Sequence, residues 1–236
     1  MSTNTQTPSN NVDEVLNETE IGSFIAKNKG FVIGAVIGVL LAIIAHGFYK
    51  QSEEKTNDEY NKVIFNFKET SLQDYKDKKT KGADVLAALG SVSSQVGVYK
   101  GANLLYFTVS DEMVAQKDYE SALKALEMVQ SPGDAYSTYF LASRKAMVLE
   151  DLNRPAEALA VLEGLGDASK KLLEGKYYLD MGRLQMKTGD KVRAKVSFQY
   201  LQDKIVQEEF SKMAKYYLYQ IEKEEAPQAT PAVEMK

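Results

Sequence analysis

The chain has 236 residues, of which 44% are hydrophobic and 26% charged, so it has an ordinary globular make-up with room for one sizeable core. A formal net charge of -4 with no concentrated basic face gives counterion release little to work with, and nucleic acid is not expected as a partner. The chain has no cysteine and one histidine, His46, which excludes disulfide frameworks, thiol nucleophiles and any metal site that needs more than one His or Cys.

The first predicted element is the apolar run FVIGAVIGVLLAIIAHGFYK, Phe31 to Lys50. From Phe31 to Phe48 its only polar side chain is His46. As a helix it is about 27 Å long at roughly 1.5 Å per residue, against a hydrocarbon core of about 30 Å. Eleven of those residues are Phe, Val, Ile or Leu, worth about 3 to 6 kcal/mol of insertion free energy before the Gly and His penalties. A buried core helix is the first alternative, but such helices seldom run this far without a Lys or Glu. A cleaved signal peptide is the second, because Ala45-His46-Gly47 puts small residues where a signal peptidase cuts. The 30-residue leader carries Asp13, Glu14, Glu18 and Glu20 in place of a short basic region, which favours an uncleaved anchor. Lys27 and Lys29 flank one end and Lys50, Lys55 and Lys62 lie past the other, so the positive-inside count leaves orientation open. Gly30, Gly34, Gly38 and Ala42 recur every four residues and would let another helix backbone approach closely. His46 reads as an interfacial residue reaching toward the headgroups.

Beyond Lys50 the sequence predicts helix after helix without strand alternation, with Pro132 and Pro155 at two breaks. The predicted class is all-α. A helical pair is expected around Glu54 to Glu69 and Ala83 to Val96, joined by YKDKKTKG, which reads as a solvated linker with Asp74 and Asp77 among its lysines. Three segments then share a period. KDYESALKALEMV, NRPAEALAVLEGL and GDKVRAKVSFQYL begin at Lys117, Asn153 and Gly189, 36 residues apart each time. The same offset relates Ala122, Ala158 and Ala194, and relates Ser110, Ala146 and Gly182 in the preceding helices. Small residues on both helices of an antiparallel pair let the backbones close together, while Leu126, Leu162 and Phe198, again 36 apart, fill the space one turn on. A lone hairpin cannot bury both faces, so the hairpins are expected to stack as a solenoid. A final amphipathic helix, Glu208 to Glu225, has Phe210, Met213, Ala214, Tyr217 and Ile221 on its apolar positions and fits a capping role. Both chain ends are polar or proline-bearing and are expected to be disordered.

These features resemble the tetratricopeptide repeat: a small residue midway in the first helix, a short turn such as Thr188-Gly189-Asp190, and an early alanine in the second helix. Tyr177 to Phe198 is the clearest copy. The resemblance implies a concave groove lined by the first helix of each hairpin. Its groove positions fall at Phe107, Asp111 and Val114, at Ser143, Met147 and Glu150, and at Leu179, Arg183 and Met186. The Lys and Asn pattern with which some members clamp a C-terminal carboxylate is absent there. Flexible Met side chains suit loosely specific apolar contact with unfolded segments; alternatively these residues only pack hairpin on hairpin. No nucleophile and base pair, phosphate-cradling loop or metal-ligand spacing stands out, so an enzyme is not expected and no cofactor is called for.

The layout as a whole, a polar tail, FIAKNKGFVIGAVIGVLLAII, the exit GFYK, Tyr60 in DEYNKVIFNF and a small repeat domain, resembles the bacterial YfgM family of ancillary SecYEG translocon subunits. That resemblance implies a single-pass inner-membrane protein with a cytoplasmic N-terminus and periplasmic repeats. It further implies association with SecYEG and a PpiD-like membrane chaperone, and chaperone-like action on unfolded exported polypeptides. The competing expectation is a structural scaffold that joins envelope or cell-division proteins. The expected organisation is a tail at 1–22, an anchor at 23–50, a membrane-proximal hairpin and linker at 51–99, three repeats at 100–206, a capping helix at 207–225 and a tail at 226–236.

Overall fold

The computed structural model describes residues 24–25, 27–130 and 132–225. The expectations for the tails at 1–22 and 226–236 lie outside them. Every regular element among the described residues is helical. The chain divides into two compact units, Met1–Glu59 and Tyr60–Lys236.

Helix α1, Lys29–Phe67, carries the apolar run and continues past the expected boundary at residue 50. Nothing between Lys50 and Phe67 is a Pro or Gly, so no residue there interrupts the i to i−4 hydrogen bonds. None of its most apolar eighteen-residue window is buried. The window is long and apolar enough to cross a membrane.

In the second unit a π-helical turn, Lys68–Leu72, leads into α2, Gln73–Lys76, and a reversal at Lys78 leads into α3, Gly82–Val96. The lysine-rich segment is therefore a tight turn, with Lys79 paired to Asp74 and Asp77. A 3-10 turn, Lys100–Ala102, precedes α4, Asn103–Ala115, which pairs with α5, Tyr119–Glu127. Then α6, Ala135–Asp151, pairs with α7, Pro155–Glu163, and α9, Glu174–Lys187, with α10, Lys191–Lys204. The short α8, Asp167–Leu172, was not expected; it begins just after Gly164-Leu165-Gly166. The last helix, α11, Glu208–Glu225, packs on α9 and α10.

The 36-residue period has a backbone cause. Lys117, Asn153 and Gly189 all have positive φ, at 63°, 57° and 83°. In each turn the next amide reaches back to the carbonyl five residues earlier, from Asp118 to Met113, Arg154 to Leu149 and Asp190 to Gln185, all at 2.8 Å. That is the Schellman pattern, which satisfies carbonyls at the helix end and reverses the chain. Asp118 and Asp190 then cap the next helix by accepting from the Ser121 and Arg193 amides. In the middle copy Arg154 stands there without a side-chain cap, and Pro155 opens the helix with its φ already set.

Packing obeys the same period. Ala122, Ala158, Ala194, Leu126, Leu162 and Phe198 are buried, as are Ser110, Ala146 and Gly182 opposite them. At Gly182 a methyl group would lie 2.6 Å from Phe198 Cε1, so the largest filler of the three sits against the smallest partner. One apolar cluster runs from Ile64 through the α4 to α9 helices to Leu184, and a second joins α10 and α11 around Phe198, Leu201, Ala214 and Ile221.

Candidate protein-interaction groove

The first helices of the hairpins, α4, α6 and α9, lie side by side because small residues let each close on its own partner. Their remaining faces enclose a cavity of about 380 Å3. Of the nine positions expected in the groove, Asp111, Val114, Ser143 and Met147 line this cavity. Phe107 sits at its edge, with its ring centroid 5.4 Å from that of Phe140 in an edge-on contact.

Tyr136, Phe140, Arg144 and Lys176 also line the cavity, and none of them belongs to the expected set. Leu104, 66% exposed, lies one turn before Phe107. Phe140 and Lys176 succeed Leu104 at the same 36-residue offset, so stepping the pattern back one turn would have found them. Tyr136 stacks parallel to Phe140 with centroids 6.3 Å apart. The result is an aromatic wall with Met147, 57% exposed, at its far end.

Both cations that line the cavity are paired, whereas Asp151, which also lines it and is exposed, makes no ion pair among the described residues. Arg144 on α6 pairs with Asp111 on α4, and its guanidinium carbon lies 4.4 Å from the Phe140 ring centre. Burial pulls its pKa below the usual arginine value, and its Nε is buried without a hydrogen-bond partner. Lys176 donates to Asp180 at 2.6 Å. Tyr139 is buried beneath the wall; burial, then the Asp180 charge, push its phenol pKa well up, and its hydroxyl has no partner among the described residues. What remains for a visitor is an apolar surface whose two cations already hold carboxylates, with Asp151 as its one unpaired charge among the described residues.

The other expected positions do different work. Glu150 accepts from Arg183 at 2.7 Å and from Lys187 at 2.6 Å, tying α6 to α9. Burial alone would raise the Glu150 carboxyl, but the hydrogen bonds from Arg183 and Lys187 overcome it and hold the pKa below the ordinary value. Leu179 and Met186 are half-buried against the cluster that α10 and α11 build, so the third copy has core where the second has groove. Gly30, Gly34, Gly38 and Ala42 are exposed on α1, and a methyl group added at any of the three glycines meets nothing within 4 Å. No cluster of three or more His, Cys, Asp or Glu suited to a metal ion occurs among the described residues.

The sequence model of the tetratricopeptide repeat-like domain matches residues 23–174, more than half of the chain. The chain belongs to that family. Within the family's span lie the apolar run and the first two hairpins; Tyr177 to Phe198, the most regular copy by sequence, lies beyond it. No curated protein and no solved structure matches the sequence. A domain of this type points to a protein-interaction module.

Proposed function

We propose that this chain is a membrane-anchored protein-interaction module that acts beside a translocon, with chaperone-like action on newly exported proteins, and that it performs no catalysis. The observation that carries the reading is the largely apolar cavity between α4, α6 and α9, whose two cations already hold carboxylates. An unfolded chain in transit presents apolar side chains whose release from water is worth about 25 cal/mol per Å2, and this wall accepts them without demanding a particular charge. Adaptable Met147 and the flat aromatic faces of Tyr136 and Phe140 suit many such segments.

The unburied apolar window of α1 supports an anchor; the placement of residues 1–22 in the cytoplasm and the repeats in the periplasm rests on the resemblance to the YfgM family alone. Anchoring would raise the local concentration of the groove near a membrane exit site. SecYEG, a PpiD-like chaperone and emerging polypeptides are the partners this reading names. The test is site-specific photocrosslinking in native membranes from Phe140 and Met147, with mass spectrometry of the trapped species. Capture of SecYEG components or exported chains is expected; recovery of only division or outer-membrane proteins would move the assignment to an envelope scaffold.

A further inference from the structure

Four charged side chains line the cavity between α4, α6 and α9, and three of them already have a partner. Arg144 holds Asp111, and Lys176 holds Asp180. The fourth, Asp151, is exposed and makes neither an ion pair nor a hydrogen bond among the described residues.

The cations that the repeat brings near Asp151 are committed elsewhere. Asp111 and Glu150 each meet an arginine 33 residues further on, but the residue 33 after Asp151 is Leu184, which is fully buried. The residue 36 after it is Lys187, which donates to Glu150 at 2.6 Å. Arg154, the next cation in the chain, pairs with Glu157 at 2.6 Å and lies 3.8 Å from Glu120. Asp151 is also the last residue of α6, where the partial negative charge of a helix end favours a cation, and the last turn of α6 contains none. Carboxylate and helix end therefore favour the same thing, a positive charge that the chain does not supply there. An occupant bringing a carboxylate would find both cavity cations taken and Asp151 repelling it.

The cavity lining follows α6 from Tyr136 to Asp151. On a helix rising about 1.5 Å per residue, Met147 stands about 10 Å beyond Phe140, and Asp151 about 6 Å beyond Met147. An extended chain advances about 3.3 Å per residue, so side chains placed over Phe140, over Met147 and at Asp151 are about three and then two positions apart. Resting on the groove reading above, we infer that the preferred occupant is an extended polypeptide segment whose apolar stretch is flanked at one end by a Lys or Arg that reaches Asp151. The apolar wall needs no charge to bind; the cation adds affinity and sets the register of the segment.

The test uses the full-length protein in nanodiscs, with empty nanodiscs as the blank, and fluorescein-labelled peptides that share their leucines and differ only in one flanking residue, Lys, Gln or Glu. Fluorescence anisotropy at low salt is expected to show the Lys peptide binding about tenfold more tightly than the Glu peptide, with the Gln peptide between them. Asp151→Asn should reduce that ratio to about twofold or less, and Asp151→Lys should reverse it. Asp203→Lys makes the same change of charge at an exposed carboxylate on α10 outside the cavity, and should leave the ratio as in the parent chain. Far-UV circular dichroism verifies that each variant is folded. Equal binding of the Lys and Glu peptides, with the Gln peptide still bound, overturns the inference and leaves the groove standing. A shift of the ratio by Asp203→Lys as large as that by Asp151→Lys also overturns it, since net charge would then be the cause. Failure of all three peptides to bind overturns the groove reading itself, and this inference with it.

Discussion

Ser143 and Met147 on α6, and Leu179 and Arg183 on α9, occupy equivalent places 36 residues apart, yet their surroundings differ. Met147 stands open at the end of the aromatic wall, whereas Leu179 is covered by the cluster of α10 and α11. The repeat fixes where a side chain sits on its hairpin. The next element in the chain decides how far that place is covered: after α7 the chain supplies only the six-residue α8 against α6 before the next hairpin, but after α10 it supplies the eighteen-residue α11, which packs on α9. Groove and core are thus the same face of one repeat, and how much of that face the following helix covers separates them.

The largest effect expected from this contrast is at Leu179. Leu179→Glu puts a carboxylate into an apolar cluster beside Phe198 and Ile221 and should cost about 2 to 3 kcal/mol of unfolding free energy. Met147→Glu should change stability by less than about 0.5 kcal/mol while weakening capture of apolar peptides. Urea denaturation of both variants checks this. Equal losses would mean that the two positions are not distinguished by α11.

The period was legible in the sequence because it rests on residues that only one environment accepts: Ala122, Ala158 and Ala194 are all fully buried where two backbones meet. The placement of α11 over Leu179 and Met186 was not legible, since a period says nothing about the element after its last copy. Phe140 and Arg144 were missed because only three positions per copy were projected onto the groove. The charges that tie one hairpin to the next obey their own rule, as Asp111 to Arg144 and Glu150 to Arg183 both span 33 residues. Opposite charges at one repeat less one turn are a signal that the sequence carried. The boundary at residue 50 marks a change of polarity, and the helix runs through it because no Pro interrupts the backbone hydrogen bonds there.

The link from Glu150 to Arg183 and Lys187 joins the open copy to the closed one, and the sign of its pKa shift sets its pH dependence. A carboxyl held below its ordinary pKa contributes stability that is present above the ordinary value and is lost as pH falls through the folded one. Glu150→Gln should cost about 1.5 kcal/mol near neutral pH, because Arg183 and Lys187 lose a charged acceptor. The difference from the parent chain should shrink as pH falls below the ordinary carboxylate range and Glu150 itself takes up a proton. Thermal melts of the two proteins across that range decide it; a difference that stays constant with pH would assign the loss to packing.

The smallest effect separates the turns. Lys117, Asn153 and Gly189 adopt the same left-handed conformation, but a Cβ crowds the backbone there, and the strain is least for Gly and moderate for Asn. Lys117→Gly should therefore stabilise the protein by about 0.5 to 1 kcal/mol: relief of strain in the folded turn exceeds the added freedom of glycine in the unfolded chain. Gly189→Lys should cost about 1 kcal/mol by the same reasoning, and Asn153→Gly should lie within a few tenths of zero. Because the Lys117 side chain is exposed, no lost contact masks the change. If Lys117→Gly lowered the urea midpoint, the common turn would owe its stability to side-chain contacts and not to the shared backbone geometry that sets the 36-residue period.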